Sequence, residues 1–203
     1  MPFDHQFFNR ETNLNDPVFD VSKANRVKQI HSAKVIEITE PQTEWIEADG
    51  IITRTPNLPI GIITADCAPV LFYGDGVIGA AHAGWQGAVN GILENTITAM
   101  DCAPSSIQAF IGPCISQQSY EVSMGFEKPF IERTPMAEQF FIDGKPDKLH
   151  FDLAGYCAFR LATSGIKKIH IDGRDTLTNP DFHSHRGGAN ATERNLSAIM
   201  ISK

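Results

Sequence analysis

Two short apolar runs separated by a Gly/Asp turn place the strongest constraint on this chain. Val70-Leu71-Phe72 and Val77-Ile78-Gly79-Ala80 read as strands, and Tyr73-Gly74-Asp75-Gly76 between them has tight-turn chemistry. Together they predict a β-hairpin. In an antiparallel pair, residues equally far from the turn face one another. Cys67 and His82 lie seven and eight residues from the midpoint of that turn, so the hairpin sets a thiol beside an imidazole. Such a pair serves either a metal site or a thiolate–imidazole catalytic couple.

The remaining pattern mixes strands with helices. Residues 27–39 alternate and are rich in Ile and Val, which predicts a strand with His31 inside it. Asp49-Gly50-Ile51-Ile52-Thr53 reads as a turn and a short strand. Residues 58–64 form a continuous apolar run, as in a strand buried on both faces. Val89, Ile92, Leu93, Ile97 and Met100 recur at helical spacing and predict one amphipathic helix after Trp85. Residues 107–111 predict a strand, Gly112-Pro113-Cys114-Ile115 a turn, and Tyr120-Glu121-Val122 a short extended piece. Asp152 as N-cap and Gly165 as C′ bound a helix over residues 153–164. Residues 168–171 and 198–201 read as closing strands. The hairpin excludes a plain βαβ repeat, so the expected fold is α/β with a mixed β-sheet flanked by helices.

Composition narrows the class. With 203 residues, 42% hydrophobic and 20% charged, one domain over residues 1–203 can bury a core without disulfide staples. A formal charge of −7 with no Lys/Arg run argues against a nucleic-acid surface, although a local basic pocket for a phosphate-bearing substrate is compatible with it. No apolar run approaches the ~20 residues of a membrane span, so no membrane partner is expected. Met1-Pro2-Phe3-Asp4-His5-Gln6 carries acid and no apolar stretch, unlike a signal peptide. Cys67, Cys102, Cys114 and Cys157 lack CxxC spacing and read as reduced thiols of a cytoplasmic protein. No Gly-x-Gly-x-x-Gly or Walker-type loop points to a nucleotide cofactor.

Several short motifs then fall in a telling order: Gln29-Ile30-His31, Ala48-Asp49-Gly50, Thr64-Ala65-Asp66-Cys67-Ala68-Pro69-Val70, His82-Ala83-Gly84-Trp85, Gly112-Pro113-Cys114-Ile115, Tyr120-Glu121-Val122 and Phe182-His183-Ser184-His185-Arg186. The sequence resembles the YfiH/laccase-domain family, also called the polyphenol oxidase or purine nucleoside phosphorylase family and DUF152. The resemblance runs from about Arg26 onward, with Asp-Cys-x-Pro-Val and His-Ala-Gly-Trp its most specific part. It implies a layered α/β fold and one Zn2+ held by two His and one Cys. Carried over by motif, those ligands are His31, Cys67 and His82. It also implies phosphorolysis of adenosine, inosine and methylthioadenosine, with adenosine deaminase activity. The implied partners are therefore a purine nucleoside and phosphate. The chain departs from the family pattern at Ser32 (usually Gly), Gln86 (usually basic), Asp175-Thr176 (usually Cys-Thr) and residues 182–186 (usually Phe-Phe-Ser-Tyr-Arg-Arg).

Three protein donors leave a fourth zinc position open, the catalytic pattern, and zinc lowers the pKa of bound water toward ~7. Beside the ligands, Asp66 either caps a turn or orients His82 or a substrate amine, which would make it catalytic together with Cys67 and His82. Asp49 reads as a turn former, with a pocket-facing carboxylate as the alternative. Cys114 is either a small buried hydrophobe or a second thiol at the site. His183, His185 and Arg186 either line the pocket, binding phosphate or base, or form a surface loop. Gly84 and Gly87 flank Trp85, a core anchor or a base-stacking platform. Cys102 and Cys157 read as packing residues, and His150 and His170 as structural.

Other functions compete. A cysteine hydrolase or transferase would use Cys67 as nucleophile and His82 as base, with no need of His31. A copper-dependent polyphenol oxidase is opposed by a total of seven His and no His-Cys-His run. A non-catalytic zinc-pocket module is favoured only by the Gln86 and Asp175 departures.

Overall fold

The computed structural model describes residues 2–9, 15–16, 19–20 and 23–202. Its strands begin with β1 (Phe3–Phe7), β2 (Asn15–Asp16), β3 (Phe19–Asp20), β4 (Val35–Glu37), β5 (Gly50–Thr53) and β6 (Ile60–Thr64). The hairpin β7 (Ala68–Gly74) and β8 (Val77–Ala83) follows, then helices α1 (Trp85–Asn90) and α2 (Ile92–Met100). After β9 (Gln108–Ile111) come β10 (Glu121–Ser123), α3 (Lys128–Arg133), β11 (Phe141–Asp143) and β12 (Lys148–Phe151). Helix α4 (Leu153–Thr163), β13 (Lys168–Ile171) and β14 (Asn195–Ile201) complete the chain.

Six strands form the central mixed sheet in the order β13-β9-β7-β8-β5-β4, with the two outer pairs parallel and the inner pairs antiparallel. A second, antiparallel sheet has the order β1-β14-β6. Period-two alternation decides what lies on each face of the central sheet. Val70, Phe72, Ala81 and Ala83 share one core with Ile92, Leu93 and Leu161 of the helices. Leu71, Ile78 and Ala80 face the other way and share a core with Ile60, Ile62, Ile199 and Ile201. The result is three layers, helices on a six-stranded sheet on a three-stranded sheet, the mixed α/β class expected. Fully buried Phe72, Ile51 and Ile78 each contribute about 1.5–3 kcal/mol by leaving water.

The hairpin turn is Asp75-Gly76, with φ of 47° and 79°. Two successive left-handed residues make the two-residue turn whose twist matches the strands, and glycine takes the second position without strain. The register pairs Pro69 with His82 and Ala68 with Ala83. Cys67 therefore stands diagonal to His82, not opposite it, because the turn is centred one residue later than its composition suggests. The two side chains keep the same face.

Two of the elements read from sequence take another form. The helix after Trp85 is two helices, broken at Gly91 with φ of 94°. The Gly91 N–H closes α1 on the Gly87 carbonyl at 3.0 Å, and α2 starts at the next residue. Apolar periodicity survives the break, since Ile92, Leu93, Ile97 and Met100 are all buried. Residues 27–39 are not one strand: only Val35–Glu37 pairs in the sheet, and Lys28 makes an isolated bridge to Glu47. His31 has φ of 60°, which no strand tolerates. By contrast α4 starts as read, with the Asp152 carboxylate accepting from the Gly155 N–H at 2.8 Å. Among the described residues no helix is long and apolar enough to cross a membrane.

Candidate metal centre

Three segments deliver the donors. His31 lies in the loop before β4, Cys67 in the bend between β6 and β7, and His82 near the end of β8. One ligand atom from each lies within 4.8 Å of the others. The two imidazole rings meet edge to face, 4.8 Å between centroids and 72° between planes. His82 is buried, Cys67 is half-buried and His31 is exposed.

Asp49 organises this convergence. It is wholly buried just before β5. Its Oδ1 lies 2.8 Å from His82 Nδ1 and accepts the His31 N–H at 3.0 Å. Its Oδ2 accepts the N–H groups of Ile30 and Ser32 at 3.2 and 2.6 Å and the Ser32 hydroxyl at 2.7 Å. Three successive backbone N–H groups on one carboxylate explain why the chain leaves the strand conformation at His31. Burial pushes the Asp49 carboxyl up, but hydrogen bonds from His82 and Ser32 outweigh it and bring its pKa to about 2. The carboxylate holds the proton of His82 on Nδ1 and turns Nε2 toward Cys67. Gln29 anchors the same loop, its amide donating to the Ile63 carbonyl at 2.7 Å and accepting the Ile63 N–H at 2.9 Å.

Electrostatics favour a thiolate. Burial raises the Cys67 thiol, yet hydrogen bonds and charge from His31 and His82 bring its pKa down to about 6. Burial lowers His82, but Asp49 and Cys67 raise it to about 9. Gly84 leaves the space for this: a Cβ there would stand 3.0 Å from Cys67 Sγ and 3.0 Å from His31 Cδ2. Two imidazoles and a thiolate, oriented by a buried carboxylate and wrapped round a side-chain-free position, fit the donor set of a transition metal.

The cluster lies between two cavities. The larger, about 440 Å3, is bordered by all three donors with Gln29, Trp45 and Arg194. The smaller, about 230 Å3, is bordered by His31 and Cys67 with Trp85, Tyr120, His185 and Arg186. His185 borders both.

A family described as multi-copper polyphenol oxidoreductase laccase matches residues 8–202. The chain belongs to this family. A purine nucleoside phosphorylase of Rickettsia prowazekii is 38% identical over 184 residues, covering 86% of this chain and 77% of the relative. The purine nucleoside phosphorylase YfiH of Escherichia coli is 33% identical, covering 81% and 69%. Among solved structures, a Neisseria meningitidis protein of the DUF152 family superposes with a TM-score of 0.84 at 32% identity, covering 89% of this chain and 75% of that one. A Bacillus licheniformis YfiH protein gives 0.82 at 27% identity, covering 92% and 79%. The laccase family, the YfiH relatives and the DUF152 fold are those the motifs pointed to, and the match reaches ahead of Arg26.

A laccase-type family implies a bound metal, and among the described residues His31, Cys67 and His82 form the one group placed to hold it. The other residues singled out by sequence divide. Asp66 turns the chain with φ of 85° and does not hold His82. Its Oδ1 accepts from the Thr176 hydroxyl and its Oδ2 from the Arg186 N–H, both at 2.7 Å. Arg186 lies over the Tyr120 ring, 5.5 Å from its centroid, and donates to the Glu121 carbonyl at 3.0 Å. Cys114 is buried in the core and borders neither cavity, and burial raises its thiol far above the usual value. His183 also borders neither, its backbone N–H and carbonyl being tied to Asn195. Trp85 packs on Phe126, 5.1 Å between centroids. Sequence offers Asp49 as a turn former or pocket-facing carboxylate, not as the organiser, holds Gln29 only as part of a motif, and gives no sign of Trp45 or Arg194. The burial of an acid immediately before a strand is invisible to local pattern.

Proposed function

We propose that the chain is a zinc-dependent purine nucleoside phosphorylase with adenosine deaminase activity. The observation that carries this is the convergence of His31, Cys67 and His82 within 4.8 Å between two cavities. Relatives named purine nucleoside phosphorylase support the substrate class. Two imidazoles and a thiolate are donors that zinc prefers, and among the described residues no further cluster of ligands exists to build a multi-copper relay. When bound, zinc supplies Lewis-acid chemistry.

The protein's own residues do the rest. Asp49 keeps His31 and His82 in place and fixes the His82 proton on Nδ1. The larger cavity receives adenosine, inosine or methylthioadenosine. The smaller one receives phosphate, facing His185 and the Arg186 guanidinium that the Tyr120 ring and the Glu121 carbonyl hold in position. In phosphorolysis a phosphate oxygen bonds to ribose C1′ as the C1′–N9 bond breaks. The base leaves with that electron pair and takes up a proton. In deamination water adds at C6 and ammonia departs.

The Asp49–His82–Cys67 chain favours a second reading. With the Cys67 thiol near 6 and His82 near 9, the metal-free protein holds a thiolate beside an imidazolium, the resting state of a cysteine hydrolase. Metal-quantified protein incubated with adenosine, with and without phosphate, separates the possibilities. Phosphate-dependent adenine indicates phosphorolysis, and phosphate-independent inosine indicates deamination. His31→Ala should lose both metal and turnover. Full turnover by a metal-free His31→Ala protein would assign the chemistry to the thiol, and no turnover by wild type would leave a binding module.

A further inference from the structure

Trp45 stands in the wall of the cavity that holds the three donors, yet it is 64% exposed. It also borders a neighbouring cavity of about 430 Å3, so it stands between two open spaces. Arg26 steadies it, with the guanidinium carbon 5.6 Å from the ring centroid. A large ring left uncovered at the edge of a reaction site is poorly explained as packing. The loop around it is also unfinished. The Gln42 amide is buried and has no hydrogen-bond partner among the described residues, and neighbouring Ile46 is exposed.

Several polar side chains of this wall are already engaged. Gln29 is spent on Ile63, Lys28 pairs with Glu47, and Arg194 donates to the Asn190 and Glu193 carbonyls. The Thr64 hydroxyl in the same wall is buried with no partner among the described residues, and beside that one polar group the wall offers a ligand the π-face of Trp45.

We propose that Trp45 is the stacking platform for the nucleobase in the larger cavity and sets its preference for purine over pyrimidine nucleosides. The inference rests on the reading of that cavity as a nucleoside site. Stacking tolerates any base, and a bicyclic purine overlaps an indole more than a single ring does. Arg26 occupies one face of the indole and the base takes the other.

The test uses Trp45→Ala and Trp45→Phe in the full chain, with calorimetric binding of inosine and cytidine to metal-loaded protein without phosphate and steady-state kinetics on adenosine with phosphate. Trp45→Ala should weaken inosine binding and raise KM by about tenfold, hold kcat within about twofold, and narrow the inosine–cytidine difference. Trp45→Phe should recover most of the loss. An exposed ring can be truncated without unfolding, so the melting temperature should not move. Unchanged inosine affinity in Trp45→Ala overturns the inference. Wild type that binds inosine but turns over no nucleoside overturns the assigned reaction alone, and binding then judges Trp45. Wild type that binds no nucleoside overturns both.

Discussion

The carboxylate of Asp49 ties His82 to the loop of His31, with Oδ1 shared between His82 Nδ1 at 2.8 Å and the His31 N–H at 3.0 Å. One buried acid thus sets both the tautomer of one donor and the backbone of another. Asp49→Asn replaces an acceptor with a donor facing donors. It should cost about 3 kcal/mol or more in urea unfolding. Metal affinity should fall roughly 10- to 100-fold in competition with a chelator. A variant that keeps wild-type affinity would show that Asp49 serves only the fold.

Gly84 separates the fold from the metal centre. Its φ of −69° suits any residue, so alanine introduces no backbone strain. The added methyl would instead stand 3.0 Å from Cys67 Sγ. Gly84→Ala should therefore unfold within about 1 kcal/mol of wild type yet hold less metal per chain. Metal analysis of the purified variant checks this, and full occupancy would refute it.

What the sequence makes legible follows from how local each relation is. Cys67 and His82 are joined by one short hairpin, so residue spacing nearly suffices, and only the off-centre turn misplaces them. His31 reaches the site through a left-handed backbone stabilised from Asp49, which strand-like alternation hides. It was accessible through the Gln-Ile-His motif alone. Asp49 looks like any Ala-Asp-Gly turn until its burial is known. The break at Gly91 is hidden because the apolar phase of α1 continues into α2. Strand β1 was overlooked because Phe3–Phe7 is half-buried throughout and carries Asp4, His5 and Gln6 between its two Phe residues.

Gly91 carries its own prediction. At φ of 94°, a Cβ would meet nothing closer than Glu94 Oε2 at 3.5 Å, so the cost of alanine there is backbone strain rather than a clash. Gly91→Ala should destabilise by about 1–2 kcal/mol in denaturant unfolding. Metal content should be preserved, because α1 remains anchored at Gly84. A stabilised variant would mean that α1 and α2 fuse into one helix without penalty.

Asp175, where the family resemblance implies Cys, gives the protein an acid-sensitive joint. Its Oδ1 accepts the N–H groups of Ser116 and Leu177 at 3.2 and 3.0 Å. Its Oδ2 accepts the hydroxyls of Ser116, Ser119 and Thr178 at 3.0, 2.5 and 3.0 Å. Burial raises this carboxyl, but these donors outweigh it and its pKa falls below the usual value. Because the folded value is the lower one, the unfolded chain binds the proton first as pH drops. The stabilisation is complete well above ~3.9, the unfolded aspartate value, and is lost as pH falls from there through the folded value. Asp172, lowered by Arg174, adds to the same acid limb. Asp175→Asn should lower stability at neutral pH and flatten that limb while leaving the shares from Asp49 and Asp172. Urea midpoints measured from pH 7 down to pH 3 test this, and an acid limb as steep as wild type would show that the Asp175 charge does not stabilise the joint.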